Sequence, residues 1–223
     1  MSTSSPIPGG AARDDAARTA FDAAFATLPL VAILRGVRPD EALAIGHALV
    51  DAGWRLIEVP LNSPDPLHSI ETLARGLPEA FVGAGTVLGA ADVRAVHAAG
   101  GRMVVAPNFS ADVVAESVRL GCVALPGVAT PSEAFAALDT GAAALKLFPA
   151  EMIPPAAVKA MRAVLPASTR LLPVGGIDVD NFRAWRAAGA NGFGIGSSLY
   201  QSGRTAADVG ERARRWTAAW QAA

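Results

Sequence analysis

The sequence predicts a (β/α)₈ TIM barrel, an α/β fold of parallel strands each followed by a helix, with one extra helix at the N-terminus. Three observations point to it. Residues that suit helix ends recur at Gly53, Gly76, Gly100, Gly121, Gly141, Pro166 and Gly189, at intervals of 20 to 25 residues. After each comes a short run of nearly continuous apolar character, as expected of parallel strands covered by helices. With the first run at Leu30, the runs number about eight, the strand count of the barrel.

In chain order, residues 1–13 are rich in Ser, Pro, Gly and Ala and read as a disordered tail. Residues 14–223 read as one domain. Asp14–Ala26 is expected to form a helix capping one end of it. The expected strands are Leu30–Arg35, Leu56–Leu61, Phe81–Thr86, Met103–Ala106, Val123–Pro126, Ala143–Phe148, Arg170–Val174 and Gly192–Gly196, with Ala-rich amphipathic helices between them. The competing fold is a doubly wound open sheet, which usually carries a Gly-rich dinucleotide loop after its first strand. The segment Leu34-Arg35-Gly36-Val37-Arg38-Pro39 does not fit that loop.

Composition narrows the function. Of 223 residues, 52% are hydrophobic and 17% charged, too apolar for a disordered chain. A net charge of −1 gives no general attraction to nucleic acid or to an anionic membrane. A single cysteine, Cys122, excludes an intramolecular disulfide framework and a Cys-based zinc cluster. His47, His68 and His97 lack metal-ligand spacing, so no metal is expected. The longest uncharged run, from Ala187 to Gly203, is full of Gly, Ser, Asn and Gln and does not read as a membrane span. Residues 1–10 lack the basic and apolar regions of a signal peptide. The expectation is a soluble cytoplasmic protein.

A barrel places its chemistry at the C-terminal ends of its strands. The chain has 17 Arg but only two Lys, Lys146 and Lys159. In Leu145-Lys146-Leu147-Phe148, strand alternation turns the leucines to the helices and Lys146 and Phe148 to the barrel axis. Burial lowers an amine's pKa and makes it a nucleophile towards carbonyls; otherwise Lys146 snorkels to solvent. In Ile57-Glu58-Val59, the same alternation points Glu58 inward, as a proton carrier or as half of an ion pair with an Arg. Lys159 falls in a helix expected over Pro155–Val164 and should be solvated.

Two Gly-rich turns follow late strands, Val174-Gly175-Gly176-Ile177 and Gly194-Ile195-Gly196-Ser197-Ser198. The ends of strands 7 and 8 frequently bind phosphate in such barrels; glycine also serves any tight turn. Arg35 ends the first strand, placed for an anion or for a rim salt bridge. Thr86 ends the third among small neighbours. Pro107-Asn108 and Pro126-Gly127 read as turns that can line a pocket. Cys122 reads as a small buried hydrophobe at the wrong end of its strand. His47 and His97 read as mid-helix surface residues.

Taken together, Ile33-Leu34-Arg35-Gly36, Glu58-Val59-Pro60-Leu61-Asn62-Ser63, Gly83-Ala84-Gly85-Thr86-Val87, Leu145-Lys146-Leu147-Phe148-Pro149 and Val174-Gly175-Gly176 occur in the order of the class I 2-keto-3-deoxy-6-phosphogluconate/phosphogalactonate aldolases, which the chain resembles from Leu28 onward. The Glu58–Ser63 run and Val174 resemble the galactonate branch; gluconate-type relatives tend to carry an Arg after the Glu and a Thr before the Gly pair. The resemblance implies that Lys146 forms a Schiff base with the substrate ketone and that Glu58 moves protons. It implies that Arg35 and Thr86 meet the carboxylate end, that Phe148 packs near the imine, and that Gly175, Gly176, Gly196 and Ser197 hold the phosphate. Val174 should then face the middle of the bound sugar acid. The substrate implied is a small phosphorylated keto acid, cleaved to pyruvate and glyceraldehyde 3-phosphate by a homotrimer that uses neither metal nor cofactor. Still open are gluconate-type or dual specificity, a phosphate-binding barrel isomerase that needs no Lys146, and a non-catalytic sugar-phosphate sensor.

Overall fold

The structure, a computed structural model, describes residues 11–223. Helix α1 (Ala11–Thr27) precedes an alternation of strands and helices. These are β1 (Leu30–Ile33), α2 (Pro39–Asp51), β2 (Leu56–Pro60), α3 (Pro66–Gly76), β3 (Phe81–Gly85), α4 (Ala90–Ala98), β4 (Met103–Val105), α5 (Ala111–Arg119), β5 (Val123–Leu125), β6 (Gly127–Val128), α6 (Pro131–Asp139) and β7 (Leu145–Leu147). A short 3₁₀ turn (Ala150–Met152), α7 (Pro155–Arg162), β8 (Leu171–Pro173), α8 (Phe182–Ala187), β9 (Phe193–Ile195) and α9 (Ala206–Gln221) complete the chain. The fold is therefore α/β with parallel strands, as expected. One sheet runs β5-β4-β3-β2-β1-β9 and a second β6-β7-β8. A parallel bridge between Val174 and Gly194 joins the end of β8 to β9.

Local sequence explains these boundaries. Gly53, Gly100, Gly121, Gly141 and Gly189 follow their helices at positive φ, where a residue with a Cβ is disfavoured. Gly76 does not behave this way. It is the last residue of α3, and a Cβ there would collide with the Leu43 side chain of α2, so it serves helix contact and not termination. At the start of α6, Glu133 N–H donates to Thr130 Oγ1 at 3.3 Å while the Glu133 carboxylate accepts from Thr130 N–H at 2.9 Å, a reciprocal cap. The strand expected over Val123–Pro126 divides, because Pro126 has no N–H to give to a ladder and β6 resumes after it. The expected strands also end earlier than forecast. Arg35, Thr86, Phe148 and Gly196 lie in the loops just past them, and Val174 keeps only its single bridge to Gly194.

Alternation sorts the strand side chains into two sets. Leu30, Ala32, Ile57, Val59, Val82, Ala84, Val104, Phe193 and Ile195 pack with the helices in one core cluster, and Leu145, Leu147 and Leu171 in another. Val31, Leu56, Phe81, Met103, Val105, Val123, Leu125 and Leu172 form a separate inner cluster. Helix α1 belongs to that inner cluster through Ala17, Phe21, Ala24 and Phe25. It takes in Ala11, Ala12 and Arg13, which were expected in the tail; the rest of that tail, residues 1–10, lies outside the described residues.

Helix α1 crosses the N-terminal ends of the strands. Phe21 is fully buried, with its ring 5.8 Å from Phe81 and 5.7 Å from Phe25. Arg170, just ahead of β8, is paired with Asp22 and lies over the Phe25 ring at 4.7 Å. Truncating a buried aromatic typically costs about 3–5 kcal/mol. Phe21→Ala is expected to lower the unfolding free energy by about that amount, measured by urea denaturation.

Candidate functional site

The inner face carries two ionisable side chains among otherwise apolar neighbours. Glu58 lies at the centre of β2 and Lys146 at the centre of β7. They are 2% and 5% exposed, while the residues flanking each along its strand pack outward against helices. Both point as alternation predicts. Together with Val31, Ile33, Val105, Leu125, Leu172, Val174 and Gly194 they line a small cavity on the inner face. Gly85 makes room for the carboxylate, since a Cβ there would strike Glu58 Oε1. The Lys146 ammonium stands 4.7 Å from the centre of the Phe148 ring.

Burial sets the electrostatics of this pair. Loss of solvation pushes the Glu58 carboxyl above the ordinary carboxylate range, with the charges of Lys146 and Arg35 pulling it back. Loss of solvation pulls the Lys146 ammonium down; Glu58 opposes that shift and the positive charge of Arg35 adds to it. A lysine so placed is deprotonated more readily than one in water, which is what attack on a carbonyl requires.

A wider cleft of about 520 Å³ shares Ile33, Val174 and Gly194 with that cavity and opens beside it. Its walls include Arg35, Phe148, Val174, Gly175, Gly176, Gly196 and Ser197, seven of the residues singled out in the sequence. Val174 stands where the two spaces meet. Gly175 and Gly176 have φ of 115° and 61°, values that strain any side chain. Among the described residues, the backbone N–H groups of Gly175, Gly176, Gly196 and Ser197 donate to no carbonyl or side chain. Unpaired backbone donors on residues that line one cleft suit an anion. Ser198 Oγ donates to Ile177 O at 3.0 Å, tying the turn after β8 to the one after β9, and Arg204 donates to Ser197 O at 2.8 Å.

Thr86 is the exception among the expected site residues. It lines neither space, although it directly follows the glycine against which Glu58 packs. Its φ of 58° is an unusual backbone for a β-branched residue and costs on the order of 1–3 kcal/mol. Asn62 is exposed and also lines neither space. Cys122 is buried, with its thiol pushed up to about 11 by loss of solvation, and Lys159, His47 and His97 are exposed on helices; His97 sits in the last turn of α4 and not in its middle.

Sequence reasoning missed several cleft residues. Glu151, in the 3₁₀ turn, leans over Gly175 and Gly176, so that a Cβ at Gly175 would meet its carboxylate. Tyr200, Gln201 and Ser202 come from the segment after β9. The Tyr200 hydroxyl donates to Glu41 Oε1 at 2.9 Å, which holds its ring at the cleft. Nothing in local spacing marks these residues, because they reach the cleft through loop packing. Among the described residues, no group of three or more His, Cys, Asp or Glu is arranged to hold a metal ion.

The sequence model of the family described as "Aldolase: KDPG and KHG aldolase" matches residues 21–212. The chain belongs to the KDPG and KHG aldolase family. It is 46% identical over 195 residues to the probable 2-dehydro-3-deoxy-6-phosphogalactonate aldolase of Rhizobium meliloti (strain 1021), covering 87% of this chain and 92% of that one. To the 2-dehydro-3-deoxy-6-phosphogalactonate aldolase of Escherichia coli (strain K12) it is 42% identical, over 88% of this chain and 96% of the relative. A solved structure titled "Native KDPGal structure" superposes with a TM-score of 0.86 at 41% identity, covering 87% of this chain and 95% of that one. Members of this family are carbon–carbon lyases, and a Schiff-base mechanism is general to them.

The lowered pKa of Lys146 bears on the Schiff-base chemistry general to the family. Trapping of an imine with pyruvate and borohydride should develop with an apparent pKa below the ordinary lysine value of 10.5. Glu58 holds the Lys146 proton on, so removing its charge lowers that pKa further. Glu58→Gln should move the trapping profile to lower pH and reduce turnover by about 10²–10⁴-fold. Both are read from trapping and steady-state rates across pH.

Proposed function

We propose that this protein is a class I aldolase that cleaves 2-dehydro-3-deoxy-6-phosphogalactonate to pyruvate and glyceraldehyde 3-phosphate. The observation that carries the proposal is a lysine, Lys146, buried with Glu58 in a small cavity that adjoins a cleft rich in free backbone donors. The neutral Lys146 amine attacks C2 of the keto acid, giving a carbinolamine. Glu58 delivers the proton with which the hydroxyl leaves as water, and a protonated imine forms. Glu58, now a carboxylate, takes the C4 hydroxyl proton and the C3–C4 bond breaks. Its electron pair flows into the imine nitrogen, and glyceraldehyde 3-phosphate is released. Protonation of the resulting enamine at C3 and hydrolysis return pyruvate and the free amine. The imine is the electron sink, so the step needs no metal or cofactor.

Arg35 meets the carboxylate, with Thr86 on that side, and Phe148 covers the imine. The turn donors of Gly175, Gly176, Gly196 and Ser197 take the phosphate. The strand connections support one closed (β/α)₈ barrel, with α1 as its extra helix and residues 14–223 as a single domain. Lys146 N–H donates to Pro126 O at 3.0 Å, which makes β5 and β6 one interrupted strand. Asn191 N–H donates to Leu171 O at 2.9 Å beside the Val174–Gly194 bridge. The family resemblance supports a cytoplasmic homotrimer, and no helix among the described residues is long and apolar enough to cross a membrane.

Incubation with pyruvate and borohydride should add a reduced pyruvyl group to Lys146, located by peptide mass spectrometry. Modification of Lys159 instead, or of neither lysine in an active preparation, overturns the assignment.

Val174 supports the galacto preference. It lies between the anion turn and Lys146, and the two epimeric substrates differ in the direction of the C4 hydroxyl. A valine leaves that hydroxyl unpaired if it points there, an omission worth about 1–3 kcal/mol. Wild-type kcat/KM should favour the phosphogalactonate substrate by about 5- to 150-fold. Val174→Thr should raise activity on the gluco epimer. An unchanged ratio would move the discrimination away from this position.

A further inference from the structure

We infer that Ser63 is a positioning residue for Arg35, acting through the peptide that joins Arg35 to Gly36. The inference rests on the carboxylate-binding role proposed for Arg35. The Arg35 side chain is exposed, lines the cleft, and makes no hydrogen bond or ion pair to any described residue. The origin and range of its reach into the cleft are therefore set by its own backbone. That backbone is held from both sides. Gly36 N–H, the far end of the Arg35–Gly36 peptide, donates to Ser63 Oγ at 2.9 Å. Ser202 Oγ donates to Gly36 O at 3.3 Å. Ser63 follows β2 and Ser202 follows β9, the two strands paired with β1. The neighbours of β1 thus grip the turn that carries the arginine.

The two contacts are unequal. Ser63 is 7% exposed, and its own N–H donates to Pro60 O at 2.9 Å, so its hydroxyl is presented from a fixed backbone. Ser202 is exposed and its bond is longer. Gly36 sits at φ of 85°, and a Cβ there would strike Ser202 Oγ. The turn is open to rotation without Ser63 because glycine has so few backbone restraints. A hydroxyl with no charge to offer and no wall on the cleft acts here only on where Arg35 points.

Ser63→Ala removes the acceptor and should raise KM for the keto acid by about tenfold while kcat changes far less, since a small misplacement of a binding group is costly. Ser63→Thr keeps the hydroxyl and should restore most of the KM. The deciding measurement is a double-mutant cycle. In an Arg35→Ala background the Ser63→Ala change should have little effect on KM, because nothing is left to aim. An undiminished effect in that background, a fall in kcat at constant KM, or failure of Ser63→Thr to rescue would overturn the inference. If Ser63→Ala does not fold, Ser63→Cys, a weak acceptor of similar size, enters the same cycle with the same outcomes. Wild-type enzyme that fails to form the pyruvate adduct would instead overturn the aldolase proposal, which keeps the two failures distinct.

Discussion

The cost of keeping a charged amine away from water organises this molecule. Lys146 and Glu58 are both taken out of solvent on the inner face of the strands, surrounded by Val31, Leu125 and Leu172. An isolated charge there would be expensive, so each group shifts towards its neutral form and leans on the other. The apolar inner cluster supplies that shift. Helix α1 completes the cluster from below, and the outward-packing leucines on either side of Lys146 keep its side chain from turning away. Stability and the shift of the lysine towards its neutral form thus share one source: the apolar contacts that hold the strands together also keep water from Lys146.

A second constraint is the spacing between this pair and the anion turns. Val174 touches both spaces and Gly194 opposes it, where a Cβ would crowd the Val174 side chain. The strand ends fix the distance, while the turns beyond them supply the backbone donors. On the proposed function, chemistry on rigid strands and recognition in adjacent glycine turns form a division that lets recognition vary without disturbing the pair.

Much of this was legible in the sequence because strands have a period of two. One alternation, read on either side of Lys146 and Glu58, put both on the inner face, and helix-end glycines such as Gly121 and Gly141 set the rhythm of the fold. Gly76 carried the same letter for another reason, contact with Leu43, which no local pattern distinguishes. The break at Pro126 was visible as a proline, but the resumption at Gly127 depends on pairing with Lys146 across the sheet. Thr86 was expected at the carboxylate end from its small neighbours and the family motif, but its positive φ could not be read from the sequence. Glu151, Tyr200 and Ser202 went unread since loops from distant parts of the chain bring them together. Ser63 lay within the quoted motif, yet its partner Gly36 N–H is visible only in three dimensions.

Helix α1 also bears on the timing of events. By filling the lower end of the inner face with Phe21 and Phe25, it leaves the cleft beside Val174 as the route to Lys146. On the proposed reaction, a covalent three-carbon fragment would sit deepest, with the phosphorylated fragment between it and the exit. The aldehyde must depart before the pyruvate can, and in the reverse direction pyruvate must enter first. On that reading the covalent bond to Lys146 sets the order of release, and the plug at the other end of the molecule keeps both fragments to the cleft side.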